Sequence, residues 1–144
     1  MAPPIQTSDI SSEIVRTIQN LVDENGKKST LKTYPIRLMV EQAEKFGEEL
    51  KSQRLETNQI RKFLDAINRL KSKLVGNNKF SEIEVEIVLL KPKLAYAAAR
   101  QNVVKPLNKV MSAAIDKVES KEDFERLVNL IESIIAYHKQ AGGK

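Results

Sequence analysis

Cysteine is absent from the 144-residue chain. Disulfides, thiolate metal sites and a cysteine nucleophile are therefore excluded, and the redox compartment is left unrecorded. Histidine occurs once, at position 138. It can form no ligand pair, and no candidate nucleophile stands beside it in sequence to complete a triad. In the last turn of a helix such a histidine is expected as a surface or dipole-compensating group. Long apolar runs are missing: Ile87 to Leu90 is far too short for a bilayer. The opening MAPPIQTSD has no basic stretch followed by an apolar one, so the chain is expected to be soluble and cytoplasmic, with no membrane contact. GKKS, at 26–29, lacks the glycine that a phosphate-binding loop needs five residues earlier, where Leu21 stands, and lacks the preceding strand. Glu41, Glu44 and Glu48 have the spacing of a solvated helix face rather than of a metal site. These absences predict a binding or scaffolding chain: no enzyme, no cofactor, no metal and no small-molecule substrate.

What remains is helix and charge. The length suits one helical domain, 1–144, able to bury about 68–70% of its unfolded surface. Residues 1–8 are expected to be flexible and 26–35 to form a loop. The net charge of +5 is uneven. Between Arg61 and Val110 stand eleven basic and four acidic residues, a local net of +7, whereas Asp116 to Glu132 carries three basic and six acidic. A basic middle suits a polyanion, and the acidic segment suits a different contact.

Apolar residues recur at helical spacing nearly throughout, which predicts an all-α, compact bundle of about five to six helices. Ser11 or Ser12 is expected to cap a first helix through Ile14, Ile18, Leu21 and Val22, ending near Asn25-Gly26. A second runs from Ile36 to Gln53, with Leu38, Met39, Ala43, Phe46 and Leu50 inward and Gly47 as a weak spot. Thr57 is expected to cap a third, whose stripe is Ile60, Phe63, Leu64, Ile67, Leu70 and Leu74. Lys62, Arg69 and Lys73 form a basic ridge on its other side, flanked by Arg61. SEIEVEIV, 81–88, alternates like an edge strand, but no second strand exists to pair with it, so it is assigned to helix. Pro92 either kinks that helix or restarts it in a new first turn. Pro106 opens another helix, and Ser120 with Asp123 resembles a capping box before the last one, which Gly142-Gly143 ends.

The segment LLKPKLAYAAAR, 89–100, is the most unusual. Lys93 and Arg100 lie about 20° apart on a helix with small Ala97 between them, a smooth facet with a cation at each end. Either a sugar-phosphate chain lies on that facet, or another helix packs at the alanines and both cations face water. Tyr96 could stack on a base, but a half-buried core position is the expectation for it.

Three segments, TNQIRKFLDAI from Thr57, LKPKLAYAAAR from Leu90 and FERLVNLIESIIAYHKQAGGK from Phe124, together resemble the small subunit of the type III-A CRISPR-Cas effector, the Csm complex. The resemblance covers roughly Leu55 to Lys144. The chain departs from the family in having Ala99 where a glycine often precedes the motif arginine, and Leu127, Leu130 and Ile131 where aromatics often stand. The resemblance implies a non-catalytic, all-helical subunit of an antiviral defence complex, present in several copies along its interior. Its partners would be the backbone subunits, the large subunit, neighbouring copies, the target RNA and the guide-target duplex. Carried over residue by residue, the RNA-facing cations fall on Arg61, Lys62, Lys91, Lys93 and Arg100. Arg69 joins them by helix geometry alone. The alternative from another class is a helical protein adaptor without a nucleic-acid role, using the acidic stretch from Asp116 to Glu132. A helical DNA-binding regulator would need a short-turn helix pair with base-reading residues, which the sequence does not contain.

Overall fold

The computed structural model describes residues 9–144; the segment 1–8, expected to be flexible, lies outside them. Helix α1, Ile10–Gln19, is capped by Asp9 rather than by Ser11 or Ser12. The Asp9 carboxylate accepts both the Ser12 N–H and the Ser11 hydroxyl at 2.7 Å, so the serines serve as donors to the cap. These bonds hold the Asp9 carboxyl down at about 2. The helix stops at Asn20, earlier than expected, because Val22 turns out to bridge Lys28 across a turn with Gly26 at φ 78°.

Helix α2, Ile36–Ser52, buries Met39, Ala43, Phe46 and Leu50 at offsets 0, 4, 7 and 11. Leu38, expected inside, is rotated off that stripe and exposed. A 3-10 turn, Thr57–Ile60, leads into α3, Arg61–Val75. Here the capping box is formed by Glu56 with Gln59. Thr57, the expected cap, instead binds the Lys144 carbonyl oxygen through its N–H at 2.8 Å and its hydroxyl at 3.1 Å.

SEIEVEIV is helical, within α4, Phe80–Val88. Ile83 and Ile87, four apart, go inward, and Val85 and Val88 stay exposed. Helix α5, Leu90–Arg100, follows after Leu89, with Pro92 inside its first turn, where a missing N–H costs nothing. Helix α6, Lys105–Ile115, begins in the same way at Pro106. Helix α7, Lys121–Gln140, is capped by Ser120, which accepts the Asp123 N–H. The Asp123 carboxylate accepts from Glu119 N–H at 2.9 Å and from Lys32 N–H at 2.7 Å, so it is a buried tie rather than a surface charge. Counting α4 and α5 as one bent rod, the described residues form an all-α bundle of six rods with no strand.

Helices α2 and α7 run side by side in the same direction: Tyr34 just before α2 meets Arg126, Gly47 meets Ile134 to His138, and Lys51 approaches Gly142. Gly47 is therefore no weak spot. A Cβ there would stand 2.7 Å from the His138 nitrogen and 2.8 Å from the Ile134 oxygen, so only glycine lets the two backbones touch. On another side of α7 lies α3, antiparallel, with Lys71 bonded to Glu132 at 3.0 Å. The α4–α5 rod folds back along α3, and α1 and α5 pack on α6. The interior is one continuous apolar cluster from Ile10 to Ile134.

Candidate nucleic-acid interface

The fold-back of α4–α5 onto α3 places the basic sequence segments against each other. Apolar positions of α3 (Phe63, Ala66, Ile67, Leu70) and of α5 (Leu90, Leu94, Ala98) turn inward. The cations left over line the open seam between the two rods. Two adjoining clefts occupy that seam. The larger, of about 580 Å³, is bordered by Lys62, Arg69, Lys73, Glu86 and Lys93 above an apolar floor of Ala66, Leu70, Leu89 and Pro92. The smaller, of about 230 Å³, is bordered by Arg61, Lys62, Lys93 and Arg100, with Asn58, Gln59 and Gln101 beside them. It contains four cations and no carboxylate.

The two ends of the seam differ electrostatically. At the Lys73 end, Glu86 takes a 2.9 Å bond from the Lys73 ammonium. That bond, together with the positive fields of Lys73, Arg69 and Lys93, holds the Glu86 carboxyl below its ordinary value against the opposing effect of burial. One positive charge is thus already answered there. At the Arg61 and Arg100 end none is, so an incoming phosphate meets uncompensated charge.

Five of the six sequence-predicted positions, Arg61, Lys62, Arg69, Lys93 and Arg100, border this seam. Lys91 does not. Two residues before Lys93 on one helix means about 160° around it, and Lys91 instead reaches Asp116 at 2.6 Å on the side facing α6. Tyr96 corrects the sequence expectation in the other direction. It is 64% exposed, not core, and it borders both clefts together with Lys62 and Lys93. The Arg100 guanidinium lies 5.7 Å from its ring centroid. The signal was present: Tyr96 stands three residues after Lys93 and four before Arg100, which puts it on the cation face and opposite Leu94.

His138 is likewise not a surface group. It is fully buried, its Nε2–H donating to the Leu55 carbonyl at 2.6 Å, and Gly143 folds so closely over the ring that a Cβ there would come within 2.5 Å of it. Lys139 beside it is exposed. The acidic stretch is partly used up internally, because Asp116 binds Lys91, Glu132 binds Lys71 and Asp123 is buried. Glu119, Glu122 and Glu125 remain exposed. Among the described residues no group of three or more His, Asp and Glu side chains could hold a metal ion, and no helix is long and apolar enough to cross a membrane.

A family model described as Csm2 Type III-A matches residues 33–144. It reaches back beyond Leu55, where the motif resemblance begins. The CRISPR system Cms protein Csm2 of Streptococcus thermophilus is 30% identical over 92 residues, covering 62% of this chain and 75% of that relative.

Proposed function

The chain belongs to the type III-A Csm2 family, and from that premise we propose that the α3–α5 seam grips RNA by its backbone. As a family member the chain is a structural subunit of the Csm complex and works alongside other Csm subunits. In our reading it catalyses nothing, is present in several cytoplasmic copies that neighbour one another, and lies along the guide-target duplex, holding the target strand. The observation that carries this reading is the smaller cleft, with Arg61, Lys62, Lys93 and Arg100 converging and no carboxylate among them. Arg69 extends the cationic rim along the larger cleft. Lys91, tied to Asp116 on the far side of α5, takes no part.

A grip of this kind is independent of sequence. Base pairing to a guide already reads the target, so the protein needs only phosphate contacts. With three phosphates neutralised per copy, the log-log salt slope on single-stranded RNA is about −2. One copy holds weakly, and repetition along the complex raises the effective concentration. Lys93→Ala combined with Arg100→Ala, placed in the assembled complex, is expected to weaken target RNA binding and flatten its salt dependence while the subunit still assembles. Unchanged affinity and slope would overturn the proposal.

A further inference from the structure

The larger cleft is built differently from a phosphate site. Its floor is apolar, formed by Ala66, Leu70, Leu89 and Pro92, while its charges stand at the rim. Tyr96 forms part of its border and is left largely open to solvent. Arg100, whose guanidinium lies 5.7 Å from the Tyr96 ring centroid, borders only the smaller cleft and does not line the larger one. An exposed aromatic beside an apolar floor is of little use to a phosphate. It suits a planar ring whose own phosphates are held outside.

We infer that the larger cleft takes one unpaired nucleobase, stacked on Tyr96, while Lys62 and Lys93 hold the adjoining backbone. The inference rests on the reading of the seam as an RNA site and narrows it to single-stranded or locally unpaired RNA. In a duplex the base faces are covered by their neighbours, so a duplex can meet the rim cations but cannot fill the floor. Stacking on an aromatic accepts any base, which keeps the site indifferent to sequence. The Arg100 guanidinium on the ring adds a cation–π contact that holds Tyr96 in place as a platform.

The test uses the full chain at low salt and a short oligouridine strand carrying a single 2-aminopurine, whose fluorescence falls when its ring stacks. Wild type is expected to quench the probe, and Tyr96→Phe to do the same. Tyr96→Leu, which keeps the bulk but loses the ring face, is expected to abolish quenching and weaken binding about tenfold. Its affinity for blunt duplex RNA should be unchanged. Lys62→Ala with Lys93→Ala should weaken both RNA forms. Quenching that survives in Tyr96→Leu, or a duplex affinity that falls equally, overturns the stacking inference. So does an unquenched wild type whose lysine variant still loses affinity; the backbone grip stands in all three cases. If the lysine variant binds both RNAs as wild type does, the backbone grip falls and the stacking inference with it.

Discussion

The bundle has two seams made from the same material and finished in opposite ways. Where α2 meets α7 at Gly47, no side chain separates the two backbones and Phe46, Leu50 and Ile134 are buried, while the depression left between these helices lies further along, beside Ile36, Val40 and Ser133. Where α3 meets α5, long cations and an exposed tyrosine stand in the gap, and it stays open as two clefts. Helix propensity does not separate these cases. What separates them is the outward residue at each contact: nothing at Gly47, and Lys, Arg or Tyr along the second seam. A closed seam stores stability in packing, and an open one gives some of that up for charge held in one place.

The contrast can be broken most forcefully at Gly47. Alanine is intrinsically better in a helix by about 1 kcal/mol, but here its Cβ would collide with backbone atoms of α7 that cannot swing away. The collision is expected to win: Gly47→Ala should destabilise by about 2 kcal/mol, lowering Tm by about 5–10 °C in a thermal melt followed by circular dichroism. A rise in Tm would mean that the seam has slack. A smaller effect is expected at Asp9, whose carboxyl is held at about 2 instead of 3.8 by its bonds to Ser11 and Ser12. A depressed pKa stabilises above the unfolded value and is lost on acidification, so this contribution should fade between roughly pH 4 and pH 2. Exposure screens it to about 1 kcal/mol. Denaturant titrations should show the acid-side slope reduced in Asp9→Asn.

The open seam should respond in the reverse sense. Lys62→Ala is expected to leave the melt unchanged and to flatten the salt slope of single-stranded RNA binding by about 0.7, the contribution of one phosphate. A lowered Tm with an unchanged slope would class Lys62 with the packing residues instead. The smallest effect belongs to Lys91→Ala. Its exposed bond to Asp116 is worth about 0.5 kcal/mol or less, and RNA affinity should not move. A loss comparable to that of Lys62→Ala would show that the RNA path crosses α5 to its other side.

Much of this arrangement was legible in the residue order. The stripe of α3 and its basic ridge follow from periodicity, and the helical state of 81–88 followed from the lack of any partner for a lone strand. Five of the six proposed cations came out on one seam. Lys91 lies off that seam, because an angle of about 160° separates it from Lys93 on a helix. Tyr96 was misplaced by its residue type, although its spacing from Lys93 and Arg100 already put it outside. Other features could not be read locally. Burial of His138 depends on Leu55 and Gly143 folding around it, and the need for glycine at position 47 depends on a helix about ninety residues downstream. Asp9 is masked as a cap in the residue order because Ser11 and Ser12, two and three residues later, offer an equally good pattern.

The tie between Thr57 and Lys144 gives the open cleft a mechanical property. Asn58 and Gln59, which border it, belong to the short turn that Thr57 begins, and Thr57 is bolted by two hydrogen bonds to a residue 87 positions away. Beside that bolt, His138 fastens the same connector to α7 through Leu55. A load applied at Arg61, as the proposed RNA strand would apply it, is passed through Leu55 and His138 to α7. The load path runs through the bundle, and the cleft edge is braced from behind.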